Sequence, residues 1–165
     1  MQSVRHVHVC NSKTTRGTKC VRRTARGTLC WQHGSIKKGL RIKKSGVPGA
    51  GLGLFTTREF QKDEHIDTYR GDKLKQDELD RRYPGDTTAE YVVQVGKKKR
   101  YIDGRKTDSS YARWANHKRK RNNADFGSTK RRVKLEATKK IPANTEIFTR
   151  YYNENTPKQK RYRVA

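Results

Sequence analysis

Residues 111–117 read Tyr-Ala-Arg-Trp-Ala-Asn-His, an aromatic and apolar stretch that ends on two polar side chains. Downstream, residues 141–151 read Ile-Pro-Ala-Asn-Thr-Glu-Ile-Phe-Thr-Arg-Tyr, and upstream, residues 46–55 form a glycine-rich turn that enters an apolar segment. Glycines at such a turn let the backbone approach a ligand closely. Taken alone, that segment is better explained as a purely structural turn, so the meaning of the three motifs depends on their combination.

Short strand-like segments surround these motifs. Alternating or apolar runs separated by glycine and proline occur at residues 40–43, 52–55, 91–95, 101–103, 132–138 and 146–152. Residues 77–83 predict a short helix that Pro84 and Gly85 end, and residues 34–38 are interpreted as a linker. Many short strands with glycine and proline between them predict a mainly β domain over residues 40–152.

The composition alone favours a disordered chain over a folded domain. The chain has 165 residues, 41 Lys and Arg against 16 Asp and Glu, a net charge of +25, and few aliphatic side chains. Such a composition is typical of disorder, so a folded domain here needs more than a large core. No run of about 18 apolar residues predicts a membrane span, and no apolar signal segment is present. Three cysteines cannot close a disulfide framework, so we expect an intracellular protein that is not secreted.

The charge is distributed unevenly along the chain. Residues 1–58 contain 13 Lys and Arg and no carboxylate, and residues 97–165 carry a net charge of +16. Residues 59–96 between them carry a net charge of −4. Two basic flanks around an acidic middle predict that different faces of the protein have different functions. We expect nucleic acid to be a partner of the basic faces.

Cysteines recur at a fixed position in an N-terminal repeat. Residues 13–20 are repeated with small changes at residues 23–30, and each copy ends on a cysteine. Cys10, Cys20, Cys30 and His33 supply the four ligands of a closed structural zinc site, which would stabilise a segment that has almost no apolar residues. His6 or His8 could take the place of His33, and a disordered basic arm with incidental thiols is the simpler alternative.

In order and spacing, the motifs between residues 40 and 152 resemble those of SET-domain protein lysine methyltransferases, the small viral ones in particular. The resemblance implies the SET fold, in which short strands form small sheets and a C-terminal pseudoknot, here with a small N-terminal zinc-binding appendage. It implies S-adenosylmethionine (SAM) as the cofactor. It assigns cofactor contacts to Gly51, Leu52, Gly53, Arg113, Asn116, His117 and Tyr151.

The resemblance also assigns catalysis to two tyrosines. Tyr151 matches the family's catalytic tyrosine, and Tyr91 lies where a tyrosine lines the lysine channel, although a core position is an equal alternative for Tyr91. Methyl transfer to an amine depends on alignment of the two reactants and on an apolar aromatic channel that favours the neutral lysine.

Some positions depart from the family pattern. Arg150 replaces the usual acidic residue before Tyr151, and Thr149 stands where Phe or Tyr often influences the number of methyl groups added. No cysteine follows Cys30, so the family's zinc site near the lysine channel is missing, and Tyr152 or Tyr162 is the candidate for closing that channel.

These observations predict a SAM-dependent protein lysine N-methyltransferase that acts on a histone or DNA-packaging protein bound to nucleic acid. The alternative is a non-catalytic SET-like protein that binds nucleic acid or builds a virion. We predict a basic Cys/His knuckle with its linker at residues 1–38, the SET domain at 39–152 and a basic tail at 153–165. The expected location is a nucleus, a viral factory or a virion. The target lysine, the number of methyl groups and the oligomeric state stay open.

Overall fold

Short strands dominate the structure, a computed structural model that describes residues 5–84, 89–96, 99–118, 120–129, 132–151 and, as backbone, 163–164. The strands are β1 (His8–Val9), β2 (Arg23–Thr24), β3 (Leu40–Lys44), β4 (Leu52–Thr56), β5 (His65–Tyr69), β6 (Asp72–Lys75), β7 (Val92–Gln94), β8 (Arg100–Asp103), β9 (Asn116–His117), β10 (Ala124–Ser128), β11 (Val133–Ala137), β12 (Phe148–Thr149) and β13 (Arg163–Val164). The helices are α1 (Trp31–Lys38), α2 (Gln76–Arg82) and a 3-10 turn (Ala112–Trp114). The predicted mainly β fold is confirmed.

The N-terminal part is built from β1, β2 and α1. β1 and β2 pair antiparallel, and α1 begins directly after Cys30. The predicted linker at residues 34–38 is wrong, because these residues form the last part of α1. Gly39 ends the helix in the left-handed conformation (φ +66°), and Lys37 and Lys38 lie in the last turn, where cations interact favourably with the helix dipole.

Four sheets follow this N-terminal part among the described residues, and three of them are antiparallel or mixed. β3 and β4 form an antiparallel pair, and β11 lies between β10 and β5 in a three-stranded antiparallel sheet. The third sheet has the order β13-β7-β8-β6, in which β13 is parallel to β7. Part of the predicted C-terminal tail therefore extends a sheet. The predicted helix at 77–83 is confirmed as α2, shifted by one residue.

A parallel pair joins two segments that are far apart in the sequence. β9 pairs with β12, with Phe148 opposite Asn116 and Thr149 opposite His117. Asn123 holds the crossing in place, because its side chain donates to the carbonyl of Glu146 at 2.9 Å and accepts from the amide of Phe148 at 2.8 Å. The strand predicted over 146–152 is shortened to β12, and this crossing is the C-terminal pseudoknot.

A continuous core explains why the chain folds despite its composition. The main cluster of buried side chains includes Leu40, Leu54, Phe60, Leu135 and Ile147, together with the three N-terminal cysteines, and a second, smaller cluster lies around α2. Burial of these side chains contributes favourable free energy of folding, which the low aliphatic content of the chain does not predict. In the part of the chain that the structure describes, no helix is long and apolar enough to cross a membrane.

Candidate functional site

A cavity of about 560 Å³ lies where the pseudoknot meets the glycine-rich turn. Its walls include Gly51, Tyr91, Arg113, Asn116 and Tyr151. These residues come from separate segments, and the crossing of β9 and β12 brings them to one space. The three motifs of the sequence thus share one site.

The glycine-rich turn presents backbone atoms to the cavity. Gly49 and Gly51 adopt left-handed conformations, with φ angles of +77° and +69°, that glycine tolerates without strain. The amide of Ser45 donates to the carbonyl of Gly51 at 2.9 Å, which closes the turn between β3 and β4. A Cβ atom on Gly53 would collide with a carboxylate oxygen of Glu146, so this glycine is required for packing.

Glu146 joins the turn to the pseudoknot. Its carboxylate accepts hydrogen bonds from the Ser45 hydroxyl at 2.6 Å, the Gly46 amide at 2.9 Å and the Asn116 side chain at 3.3 Å. The Asn116 amide group also donates to the Leu52 carbonyl at 3.0 Å. Asn116 is thereby fixed at the wall of the cavity. Sequence reasoning missed Glu146, because its hydrogen-bond partners are remote in the sequence.

Tyr151 is held by two hydrogen bonds. Its hydroxyl donates to the carbonyl of Ala115 at 2.9 Å, and its amide donates to Nδ1 of His117 at 3.1 Å. The rings of His117 and Tyr151 also contact each other, with centroids 5.3 Å apart. Tyr151, which lines the cavity, therefore has its hydroxyl beside a backbone carbonyl of a buried residue.

Arg113 orders the aromatic side of the cavity. It is only 2% exposed, and its guanidinium lies 4.2 Å from the ring centre of Tyr91 and 4.3 Å from that of Trp114. Its Nε atom donates to the Gly104 carbonyl at 2.6 Å. Such stacking fixes both rings through cation–π contacts.

The cavity does not include every residue of the predicted site. Gly51, Leu52, Arg113, Asn116, Tyr91 and Tyr151 line it. Gly53 and His117 are not among its walls; Gly53 packs against Glu146 behind the turn, and His117 contacts Tyr151. Their predicted direct contacts with a cofactor stay a prediction, whereas their support of the lining residues is visible in the structure.

The sequence profile of the SET domain matches residues 51–152, which is more than half of the chain. The chain belongs to the SET-domain family. The pseudoknot and the glycine-rich turn are thus its SET features, and the predicted SET fold is confirmed.

Solved structures resemble this SET-domain chain. Chaetomium thermophilum Polycomb Repressive Complex 2 bound to GSK126 matches with a TM-score of 0.62 and 25% identity, over 74% of this chain and 17% of that chain. The ctPRC2 structure in an autoinhibited conformation bound to S-adenosylmethionine gives the same TM-score and identity, over 74% of this chain and 16% of that one.

A smaller protein shares the fold as well. The methyltransferase domain of human PR domain-containing protein 2 matches with a TM-score of 0.53 and 18% identity, over 73% of this chain and 82% of that chain. The SET-domain chain therefore spans about a sixth of the Polycomb chains that it matches. No curated protein sequence matches it at a significant level.

The N-terminal appendage brings together the four predicted zinc ligands. The ligand atoms of Cys10, Cys20, Cys30 and His33 all lie within 4.8 Å of one another, and the three cysteines are buried. Nδ1 of His33 is 3.4 Å from the sulfurs of Cys10 and Cys30. Ligand atoms around tetrahedral zinc are about 3.5 Å apart, so this donor set fits a structural zinc ion. The position of His33 on α1, three residues after Cys30, gives this arrangement.

The two ends of this cluster differ in acidity. Burial, together with the neighbouring thiols, raises the pKa of Cys10. Burial also opposes ionisation of Cys30, but hydrogen bonds from the backbone at His33 and from the other thiols outweigh it and lower its pKa. Metals bind thiolates, so metal binding and deprotonation of these thiols are linked.

His6 and His8 lie apart from the cysteine cluster. Nδ1 of His6 is 2.7 Å from a carboxylate oxygen of Asp108, and Nδ1 of His8 is 3.4 Å from the same oxygen. The structure therefore favours His33 among the alternatives for the fourth ligand.

The departures from the family pattern have local explanations. Arg150 forms an ion pair with Asp125 at 2.6 Å, which directs its guanidinium to β10. Thr149 is fully buried and pairs with His117 through the backbone. Tyr152 and Tyr162, the candidates for closing a lysine channel, lie outside the described residues.

Proposed function

We propose that this chain is a SAM-dependent protein lysine N-methyltransferase. The observation that carries the proposal is the single cavity in which the glycine-rich turn, Asn116 and the tyrosines Tyr91 and Tyr151 meet. A methyltransferase needs a site for the methyl donor beside an aromatic site for the amine, and this cavity has both kinds of wall.

The chain's own residues have distinct roles in this proposal. The turn at Gly51 and Leu52 and the side chain of Asn116 form the polar wall that would hold the cofactor. Tyr91, held by Arg113, is the aromatic wall that we assign to the lysine side chain. Removing a lysine from water lowers the pKa of its ammonium group and favours the neutral nucleophile.

Tyr151 is the residue that we assign to the reacting centre. When bound, SAM would supply a methyl group on its sulfonium sulfur, and the neutral lysine nitrogen would accept this group in exchange for the carbon–sulfur bond. The Tyr151 oxygen and the Ala115 carbonyl lie 2.9 Å apart and form a polar pair next to the cavity. Oriented dipoles of this kind stabilise positive charge that develops on a methyl group.

The substrate in this proposal is a histone or another basic DNA-packaging protein, presented on nucleic acid. The net charge of +25 supports this, because a free basic tail would be repelled at long range. Glu90, from the acidic middle of the sequence, lies at the cavity and would attract a substrate lysine. Among the structures with a similar fold, ctPRC2 has been solved in complex with H3K27me3 and H3K27M, which agrees with a histone-like substrate.

We also propose that zinc bound by Cys10, Cys20, Cys30 and His33 stabilises the N-terminal appendage. The division into residues 1–38, 39–152 and 153–165, the intracellular location and the viral context stay predictions of the sequence.

Transfer of labelled methyl groups from SAM to mixed core histones tests the proposed activity. We expect transfer by the native chain and none by Tyr151→Phe, which keeps the ring but loses the hydroxyl. Binding of SAM to both forms, measured by calorimetry, is the control for folding of the site.

The alternative function gives a different result. A non-catalytic SET-like protein would transfer no methyl group and would not bind SAM, while still binding nucleic acid. Asn116→Ala provides a further check, because its loss of SAM binding would show that the cavity holds the cofactor.

A further inference from the structure

Four arginines surround a second cleft, at the junction of the N-terminal appendage and the SET domain. The cleft has a volume of about 290 Å³, and Arg5, Arg23, Arg26 and Arg41 contribute to its walls. All four side chains are exposed. We call this feature, with Trp31 at its side, the arginine cleft.

Three separate elements hold the arginine cleft together. Arg23 lies on β2, Trp31 begins α1 and Arg41 lies on β3. Arg26 lies in a turn that the Thr24 hydroxyl closes, because this oxygen accepts from the Arg26 amide at 3.2 Å and donates to its carbonyl at 3.1 Å. The backbone positions of these charged residues are thus set by secondary structure and by a hydrogen-bonded turn.

The floor of the arginine cleft is apolar. Leu40 and Tyr111 are almost completely buried there, with exposures of 0% and 2%, and Ile42 is half-buried. Trp31, in contrast, is 57% exposed, and the guanidinium of Arg41 lies 5.2 Å from its ring centre. An exposed tryptophan beside arginines offers a flat surface that a second ring can stack on.

No carboxylate balances these charges. Among the described residues that line the arginine cleft, none is acidic, and the first acidic residue of the sequence is Glu59. None of the four arginines forms an ion pair with a carboxylate of the described part of the chain. Uncompensated guanidinium groups around an aromatic platform are well suited to an anionic ligand that has flat rings.

We propose that the arginine cleft binds single-stranded nucleic acid, with phosphates on the arginines and a base stacked on Trp31. Guanidinium groups match phosphate geometry, and aromatic side chains stack on bases that are not already stacked in a duplex. The proposal extends the proposed docking on nucleic acid, but it does not depend on methyl transfer or on SAM. It places the contact with nucleic acid at one surface, whereas an effect of net charge alone would involve the whole molecule.

Fluorescence anisotropy with a labelled single strand about 12 nucleotides long, within the range of known single-strand sites, tests the proposal. The full chain is used with zinc present and without SAM. We expect Trp31→Ala to weaken binding by roughly five-fold to 150-fold, the range found for loss of one base–aromatic stack. Trp31→Phe should restore most of the affinity, and the fluorescence of Trp31 should be quenched in the native complex.

The arginines are tested through the salt dependence of binding. Each lost phosphate contact should reduce the slope of log affinity against log salt by about 0.7 for a single strand. We expect this change for Arg23→Ala and Arg41→Ala, and no such change for Arg81→Ala. Arg81 lies on α2 and pairs with Asp77, so its substitution changes the net charge equally at another surface.

Several results would overturn the proposal. Equal loss of affinity in Arg41→Ala and Arg81→Ala would show that only the net charge matters. Tighter binding of a duplex of the same sequence, unaffected by Trp31→Ala, would show that no base stacks on Trp31. Equal binding of poly-glutamate with the same dependence on Trp31 would identify an acidic protein as the ligand.

Discussion

At the scale of single residues, the site depends on close approach around one buried carboxylate. Glu146 accepts hydrogen bonds from three groups that belong to the glycine-rich turn and the pseudoknot. Gly53 lies so close to this carboxylate that a side chain there has no space. One carboxylate thereby fixes the relative position of two walls of the cavity.

Gly53→Ala should damage this arrangement. The added methyl group would displace the Glu146 carboxylate, and overpacking of this kind costs about 1–3 kcal/mol. We expect a lower free energy of unfolding in urea and weaker binding of SAM. Gly46→Ala is the matched control, because its Cβ would be 3.5 Å from the same carboxylate, an ordinary contact. Equal effects of both substitutions would contradict this explanation.

Glu146→Gln keeps the shape of the side chain but removes one acceptor oxygen. Hydrogen bonds to a charged group contribute about 1.5–3 kcal/mol, so we expect a loss of stability in this range. Glu136→Gln is the control, since Glu136 is in an exposed pair with Lys134 at 3.8 Å, and such pairs contribute little. Thermal unfolding of the two variants provides the comparison; a smaller loss for Glu146→Gln than for Glu136→Gln would argue against the role of this carboxylate.

At the scale of structural elements, Tyr111 connects the N-terminal appendage to the cavity. Its hydroxyl donates to the carbonyl of Leu29 at 3.1 Å, and its ring lies against Gly27 and Gly34. Its amide donates to the carboxylate of Asp67 at 2.8 Å, at the start of the 3-10 turn that carries Arg113. Burial, assisted by the Asp67 carboxylate, raises the pKa of Tyr111, so its hydroxyl stays protonated and continues to donate.

Tyr111→Phe should destabilise the N-terminal appendage and weaken binding at the cavity. We expect a loss of about 1 kcal/mol of stability from the missing hydrogen bond, and weaker SAM binding because the 3-10 turn is less well held. Tyr101→Phe removes a comparable bond, from Tyr101 to Gln76 at 2.6 Å, at a place remote from the appendage. Calorimetry measures the affinity of each variant for SAM. Equal affinities of Tyr111→Phe and Tyr101→Phe would contradict the coupling between the appendage and the cavity.

Removal of zinc from the appendage should affect the 3-10 turn through the same contacts of Tyr111. Chelation of the metal, or Cys30→Ser, is expected to unfold the appendage, because zinc supplies much of the folding free energy of so small a unit. Hydrogen exchange should then increase at residues 10–33 and at the 3-10 turn. Metal analysis that finds no zinc in the native chain would exclude this explanation.

The sequence predicted these elements to different extents. Strands with clear alternation, such as β3 and β11, could be predicted, and so could the cavity residues that belong to ordered motifs. α1 could not, since its residues have little helical periodicity and Gly34 argues against a helix; the packing of Gly34 against Tyr111 favours it instead. Glu146 was missed because its partners Ser45, Gly46 and Asn116 lie 101, 100 and 30 residues away, and no local pattern reports such contacts.

At the scale of the whole molecule, charge should influence the choice of substrate. Residues of both basic flanks are exposed around a domain whose acidic segments pair internally, as Asp72 and Asp103 do with Arg82. We expect faster methylation of a histone on DNA than of the free histone at equal lysine concentration. Raising the salt concentration should reduce this difference, because it screens phosphate contacts. A faster reaction with the free histone would contradict the prediction.

The pseudoknot also has a consequence for the order in which the chain can fold during synthesis. All four residues of the Cys/His cluster lie within residues 10–33, so a complete set of metal ligands is available as soon as that short segment leaves the ribosome. The cavity cannot close until Phe148 and Thr149 are available to pair with β9, more than a hundred residues later in the sequence. The Cys/His cluster can therefore assemble during synthesis well before the cavity does.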